Sequence, residues 1–240
     1  MDTRFLEEGR LMNSSLSRWA ATLLVLSPVL LIVVAGLDAP SVSTSDLNDA
    51  RQDLLQIHDN EAGLLVLVAF EIIAGAAIVG AAAFLAGCLR GAPALAAASL
   101  ASASIAGALV WVTAAIETAL IVTVAEAVSD GEASSSTLLL GQALYEVFDS
   151  MLFIGVLPAT GLWVTLASAA MVRTGMFSRR AAYLGIGAAP LTVLASLTFA
   201  VGAGFVFAGL GMLLVIIWSV WLAVSIVREG LPPPTAEAPA

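Results

Sequence analysis

Four carboxylates interrupt the apolar stretches of this chain, at positions where a membrane-spanning helix usually has none. They are Glu71, Glu117, Glu146 and Asp149. An ionisable side chain at the centre of such a helix costs about 3 kcal/mol or more, and residues of this kind commonly serve proton relays or sites for ions and ligands. No lysine or arginine is predicted at the same depth, and carboxylates that share a low-dielectric site cannot all stay ionised. A cluster of them would therefore be protonated, bound to a cation or hydrated.

The stretches around these acids are long and apolar. Of the 240 residues, 60% are hydrophobic and 11% are charged, whereas soluble domains carry about 25% charged residues. Runs of about 18 or more apolar residues recur, and each predicts a transmembrane helix because its backbone polar groups must be satisfied within the segment. No alternating pattern typical of a membrane barrel is visible. We predict an all-α polytopic bundle of six transmembrane helices in one domain.

The positions of the six helices follow from the apolar segments. They cover approximately residues 19–37, 62–89, 94–128, 138–172, 181–202 and 205–227, within one membrane domain over 19–228. Residues 1–18 are predicted to be a polar cytoplasmic leader, either a short surface helix or disordered, and the proline-rich tail 229–240 to be disordered. Pro28 and Pro158 predict kinks, and Gly202–Gly204 predicts a tight turn. The first segment is predicted to be a retained helix, with a cleaved signal peptide as the alternative.

The arginines set the predicted orientation. With six spans and the N-terminus inside, one side holds Arg4, Arg10, Arg18, Arg90, Arg173, Arg179, Arg180 and Arg228. Of the basic residues, only Arg51 falls on the other side. Because arginine-rich connections stay in the cytoplasm, both termini are predicted to be cytoplasmic, in a multi-pass protein of the cell membrane.

The first outer loop, residues 38–61, is acidic and predicts a helix of its own. Thr44, Ser45 and Asp46 offer N-caps for it. Residues at helical spacing follow: Leu47, Ala50, Leu54, Ile57 and Glu61. This pattern predicts a short amphipathic helix on the outer surface.

The four acids are predicted to lie at a similar depth. At 1.5 Å per residue, Glu71 lies about 14 Å inward from Ala62, and Glu117 lies about 15 Å from the outer end of its segment. Glu146 and Asp149 lie about 12 and 16 Å from the start of theirs. All four therefore fall in the outer half of the membrane, although they come from three different segments.

The helix faces predict that the acids point inward, toward one another. A stripe of small and polar residues lies within about 60° of Glu117 on the third segment: Ser99, Ala103, Ala106, Val110, Thr113 and Ala114. A polar stripe runs along the fourth segment: Gln142, Tyr145, Glu146, Asp149 and Ser150. Small residues flank Glu71 on the second: Ala74, Gly75 and Ala82. Such stripes are typical of faces where membrane helices pack.

We therefore hypothesise a proton- or cation-responsive cavity that opens to the outside. Its candidate binding residues are Glu71, Glu117, Gln142, Glu146 and Asp149, with His58, Asp59 and Glu61 near its mouth. Two alternatives explain these acids without a functional site. The long third and fourth segments could place their acids at a wet interface, or protonated carboxyls could simply hydrogen-bond between helices, for about 0.6 kcal/mol each.

Composition also argues against several functions. The single cysteine and single histidine rule out an intrachain disulfide and argue against a zinc site with several imidazoles. The chain has no lysine to complete a G-x-x-x-x-G-K nucleotide loop, and the net charge of −9 argues against a nucleic-acid partner. We predict no enzyme activity, no cofactor and no metal, although a metal site built from carboxylates alone stays open.

Two classes of function remain. The acids favour a small transporter or ion-coupled binding protein, whose ligand is a proton or small cation; no inverted repeat supports a standard secondary transporter. The alternative is a structural or regulatory protein of the lipid bilayer that acts through membrane protein partners. A G-x-x-x-G at Gly87 and Gly91 weakly favours a homo-oligomer.

The segment Val172–Gly185, with the sequence VRTGMFSRRAAYLG, resembles a connection in the DUF4386 family of uncharacterised bacterial multi-pass membrane proteins. There a helix ends at an arginine-glycine turn, and a second arginine then precedes a glycine-rich helix. The chain length, the acidic first loop and the number of spans are similar too. Ser178 stands where the pattern leads us to expect proline. The resemblance implies an unknown function and supports this topology only, and it assigns no functional residue.

Overall fold

The chain folds into a bundle of helices. The computed structural model describes residues 3–36, 42, 46–131, 134–198 and 204–229. These residues form α1 Thr3–Gly36, α2 Leu47–Asp59, α3 Glu61–Cys88, α4 Pro93–Ser129, α5 Ser135–Thr174, α6 Arg179–Ile186, α7 Ala188–Thr198 and α8 Gly204–Glu229, and no strand. Within them, α3, α4, α5, α6 with α7, and α8 are long and apolar enough to cross a membrane, and α1 adds a shorter apolar stretch, Ser15–Leu31. The predicted polytopic helical fold is confirmed.

The helices extend the predicted segments at most ends. Residues 3–18, predicted as a leader, are helical and continuous with the first apolar segment in α1, which runs through Pro28. α3 ends at Cys88, so Leu89 is its C-cap. The predicted turn at Gly202–Gly204 and the predicted disordered tail lie mostly outside the described residues, which resume at Gly204 and stop at Glu229.

Local chemistry explains where several helices begin and end. The Asp46 side chain caps α2 by accepting from the Asn48 N–H at 2.6 Å, and Pro93 begins α4, where its missing N–H costs nothing. Gly175, with φ +66°, ends α5 in the left-handed conformation that glycine tolerates. Ser178, in the position where we expected proline, caps α6 by accepting from the Ala181 N–H at 3.2 Å.

The predicted amphipathic helix in the first loop is present as α2. Its buried face consists of Ala50, Leu54 and Ile57, and this face packs against the C-terminal part of α4 and the N-terminal part of α5. A Cβ added at Gly141 of α5 would lie 3.0 Å from Leu54 Cδ1. α2 therefore covers the ends of α4 and α5, which at 37 and 40 residues are longer than the roughly 20 residues that a bilayer core requires.

Small residues lie inside the bundle and large apolar residues cover its outside. The predicted stripe on α4 is confirmed, because Ser99, Ala103, Ala106, Val110, Thr113, Ala114 and Glu117 are all at most 2% exposed. Ile72, Ile73 and Ile105 are among the large apolar side chains that face outward. Close helix packing through small residues, with an apolar exterior, is the arrangement expected in lipid.

The buried apolar residues form two main clusters along the bundle. The inner cluster surrounds Trp163 and Trp218, whose rings pack edge to face at 6.0 Å. The outer cluster joins α2 to α3, α4 and α5 around Leu54, Val68 and Ile121. The two clusters occupy successive levels of the bundle.

Two π-helical segments interrupt the long helices, at Leu120–Ala125 in α4 and Met151–Val156 in α5. In the second, the Leu157 N–H bonds to the Leu152 carbonyl, and Pro158 has no N–H to offer. The Phe153 carbonyl instead accepts a hydrogen bond from Ser196 Oγ of α7 at 2.7 Å. The backbone before Pro158, where we predicted a kink, is therefore a π segment tied to a neighbouring helix, and the kink itself stays a prediction.

The arginines that the structure describes in the spans and their connections, Arg51 of α2 apart, collect at one end of the bundle. Arg18 of α1 and Arg228 of α8 line the same groove. The α3–α4 turn, which carries Arg90, lies against the end of α5, since a Cβ at Gly91 would be 3.2 Å from Thr174 Cγ2. α2 packs at the other end, against the π segment of α4.

Helix packing predicts the effect of adding one methyl group at Gly161. A Cβ there would collide with Thr192 of α7, which is fully buried. We expect Gly161→Ala to lower the free energy of unfolding in detergent by about 1–3 kcal/mol. Gly87→Ala is the matched control, because nothing lies within 4 Å of a Cβ at that position. Equal stability of the two variants would contradict the packing described here.

Candidate functional site

Glu71 of α3 and Glu117 of α4 form a buried carboxyl pair. They are 5% and 2% exposed, and their carboxyl groups lie within hydrogen-bonding reach of each other. The Oε2 atom of each is buried and makes no hydrogen bond to any residue that the structure describes. Two ionised carboxylates cannot hydrogen-bond to each other, so a bond between these two groups requires a proton on one of them.

Close packing of α3 on α4 brings the two carboxyls together. A Cβ at Gly107 would be 2.9 Å from the Gly75 carbonyl oxygen, so the two backbones touch at this level. One turn further out, Trp111 Nε1 donates to the Ile72 carbonyl at 3.0 Å. In that antiparallel register Glu117 lies further out than Glu71. Because helical side chains tilt toward their own N-terminus, Glu71 reaches outward and Glu117 reaches inward.

The pair lies where the two apolar clusters meet. On α3, Val68 belongs to the outer cluster and Ile78 to the inner one. On α4, Val110 belongs to the inner cluster, and Ala114 and Leu120, on either side of Glu117, belong to the outer one. Glu71 therefore lies between the two apolar levels of the bundle, and Glu117 lies within the edge of the outer one.

Beside the pair lies a cavity of about 440 Å³, bounded by α1, α3, α5 and α8. Its polar lining residues are Glu71, Tyr145, Asp149 and Thr160, and the rest of the wall is mainly apolar, including Phe148, Phe153, Phe205 and Met212. No basic side chain lines it among the described residues. Glu71 thus belongs to both the carboxyl pair and the cavity wall.

Tyr145 connects the cavity to α2. Its ring stacks on Phe148 with centroids 6.5 Å apart, and its phenol lies within electrostatic range of Asp149 and of Asp53 on α2. The Tyr145 phenol is therefore near both Asp53 of α2 and Asp149 of the cavity wall.

Thr160 presents an unused hydroxyl. It is 2% exposed, and its Oγ1 has no hydrogen-bond partner in the part of the chain that the structure describes. Other threonines in the bundle donate to a carbonyl three or four residues earlier, as Thr113, Thr118 and Thr192 do at 2.7–3.0 Å. Burial of a hydroxyl without a partner costs about 1–3 kcal/mol, so an occupant of the cavity that bonds to Thr160 would remove that cost.

The family model for a domain of unknown function, DUF4386, matches residues 13–229. The chain belongs to the DUF4386 family. No curated protein and no solved structure matches it. The match covers all the residues of the carboxyl pair and the cavity, so the site lies within the DUF4386 domain.

In this DUF4386 chain, Glu146 lies apart from the cavity that Glu71 and Asp149 line. We predicted that it points inward, but it is exposed and lines a separate shallow groove with Leu109, Ser150 and Gly155. Asp149, three residues later, is half-buried and faces the cavity. Residues three apart differ by about 60° around a helix, and the edge of the cavity falls between these two.

The remaining predicted residues lie away from the cavity. Gln142 is buried at 9% exposure but does not line it. His58 is half-buried at the end of α2, Asp59 is exposed and Glu61 begins α3. None of the three lines the cavity, and their role at its mouth stays a prediction. Across the described ranges, no group of three or more His, Cys, Asp or Glu side chains is arranged to hold a metal ion.

Sequence reasoning missed three contributors to the site of this DUF4386 protein: Asp53, Thr160 and the aromatic wall. A signal for Thr160 existed, because it is the only side chain between Met151 and Leu162 that can form a strong hydrogen bond. Asp53 could not be distinguished from the other acids of its loop. The aromatic residues look like ordinary apolar residues until the helices that contribute them are placed.

Proposed function

We propose that this protein is a multi-pass protein of the bacterial plasma membrane that binds a proton and a small cation within its helix bundle. The carboxyl pair Glu71–Glu117 holds the proton, and the adjacent cavity takes the cation, as in a small transporter or a proton-responsive binding protein. The observation that carries the proposal is that Glu71 belongs to both sites. The proposal gives the bundle no catalytic role.

The shared residue couples the two sites electrostatically. A positive ligand in the cavity favours an ionised Glu71, whereas a proton on Glu71 removes the charge that attracts the ligand. The other titratable groups near the cavity are Asp149, Tyr145 and Asp53, none of which carries positive charge. Proton release should therefore accompany cation binding.

The orientation supports entry from the outside. The described arginines of the spans and their connections gather at the end of the bundle opposite α2, and the positive-inside rule assigns that end to the cytoplasm. The carboxyl pair and the cavity then lie toward the outer side, beneath the acidic helix α2.

Infrared difference spectroscopy of the protein in nanodiscs tests the carboxyl pair. At neutral pH we expect the C=O absorption of a protonated, hydrogen-bonded carboxyl, and we expect Glu117→Gln to remove it. Glu126→Gln is the control, because Glu126 is an exposed acid on the same helix. If the wild-type spectrum contains no such band, or if Glu117→Gln retains it, the proposal that this pair holds a proton is wrong.

One observation favours the alternative, a regulatory or structural protein that acts through membrane partners. Glu146 faces the outside of the bundle beside the apolar residues Leu109, Val147 and Ile154, and a carboxylate facing lipid is costly. A partner helix or a second copy could cover it. Purification in mild detergent discriminates, since a stoichiometric partner lost in Glu146→Leu supports this alternative.

A further inference from the structure

The cavity combines an apolar wall with negative charge. Four aromatic or sulfur-containing side chains, Phe148, Phe153, Phe205 and Met212, contribute to the wall beside the carboxyl groups of Glu71 and Asp149. Its volume of about 440 Å³ lies in the range of pockets that hold organic molecules. A proton alone needs no such space, so the cavity is suited to a ligand with an apolar body.

A bare inorganic cation suits this wall poorly. Calcium takes about six to eight oxygen ligands and magnesium a near-octahedral set. The polar side chains on the wall are two carboxyls, one phenol and one hydroxyl, and no metal-binding group of three occurs in the described part of the chain. Most of a metal ion's coordination shell would face apolar side chains.

The unused polar atoms suit a protonated amine. An ammonium nitrogen carries several N–H donors. Glu71 and Thr160 line the cavity, and each has a buried oxygen, Oε2 and Oγ1, that no described residue satisfies and that a side-chain rotation would bring to the cavity surface. Asp149 offers a third acceptor on the same wall. The edge-to-face pair Phe153–Phe205, with centroids 4.9 Å apart, adds ring surface that packs against an apolar body and attracts positive charge.

Resting on the proposed function, we propose that the cavity binds an amphipathic organic cation: a protonated amine on an apolar or aromatic body. The amine donates to Asp149, Glu71 and Thr160, and the body lies among Phe148, Phe153 and Met212. Phe205 is 62% exposed, and Gly209 is exposed as well, so the cavity opens on the side of α8 where these two residues lie.

Three probe molecules with the same carbon skeleton and different end groups test whether binding requires a positive charge. Calorimetry on protein in nanodiscs, with empty nanodiscs subtracted, would compare 4-phenylbutylamine, 4-phenylbutanol and 4-phenylbutanoate at neutral pH. We expect saturable binding of the amine, at least about tenfold tighter than that of the alcohol, and no binding of the carboxylate. Equal binding of amine and alcohol, or amine uptake no greater than in empty nanodiscs, would overturn the proposal.

Two variants locate the binding site. Asp149→Asn should weaken amine binding at least about tenfold, whereas Glu146→Gln, the same loss of charge three residues away, should leave it unchanged. Gly209→Leu should also block binding while the protein stays folded, because nothing lies within 4 Å of a Cβ at Gly209. Unchanged binding in both Asp149→Asn and Gly209→Leu would place the amine elsewhere.

The infrared spectrum separates failure of this inference from failure of the proposed function. If the carboxyl band of the Glu71–Glu117 pair is present and no amine binds, the ligand class is wrong and the proton site stands. If the amine binds and the band is absent, the cavity functions without the proton site. If both are absent, both proposals are wrong.

Discussion

Replacing Glu117 alone by methionine is expected to lower the free energy of unfolding by about 1–3 kcal/mol, because it leaves both oxygens of the buried Glu71 carboxyl without a partner. Replacing Glu71 and Glu117 together by methionine should restore most of that loss, since two apolar side chains of similar length then fill the same space. Neither single variant alone can reveal the pair, but their non-additivity can.

Reversible unfolding in mixed micelles would measure this double-mutant cycle. Glu126→Met, an exposed change on the same helix as Glu117, should remain within about 0.5 kcal/mol of wild type. Strictly additive effects of the two single changes would mean that the two carboxyls do not interact in the folded protein, and the site described here would lose its basis.

The second large effect is expected at Gly107. A Cβ there would lie 2.7 Å from Val79 Cγ2 and 2.9 Å from the Gly75 carbonyl oxygen, so Gly107→Leu must push α3 away from α4. We expect a loss of about 3 kcal/mol in stability. Because the same contact sets the register of Glu71 and Glu117, the infrared band of the protonated pair should disappear as well.

Gly87→Leu is the matched control for this change. Gly87 also lies in α3, but a Cβ at that position meets no atom within 4 Å, so the variant should keep both its stability and the carboxyl band. A Gly107→Leu protein that retains the band would show that the pair does not depend on the close approach of the two backbones.

Helical periodicity predicted the inward face of α4 correctly. The stripe that ends at Glu117 is buried throughout, because small residues at a spacing of 100° can pack closely only against another helix. The amphipathic spacing of α2 was informative for the same reason. These features depend on one helix at a time, so a single sequence contains enough information to predict them.

The placement of Glu146 and Thr160 could not be predicted in this way. Glu146 and Asp149 belong to one polar stripe in sequence, and only the arrangement of α1, α3 and α8 around α5 decides which of them faces the cavity. For Thr160 the decisive fact is that its hydroxyl does not bond to its own helix, which depends on a side-chain rotamer rather than on residue spacing.

The two π segments differ in how they tolerate a change in chain length. A π turn closes its hydrogen-bonded ring around one residue more than an α turn does, so Leu120–Ala125 and Met151–Val156 each hold a surplus residue. Loss of one residue within Leu120–Ala125 would convert that segment to regular α-helix and keep every later residue on its present helix face. Within Met151–Val156 the same loss would bring the Pro158 ring against the carbonyl four residues earlier. Single-residue deletions usually rotate every later side chain of a membrane helix to a wrong face, and the π segment of α4, next to the carboxyl pair, is the place in the described helices where one can be absorbed.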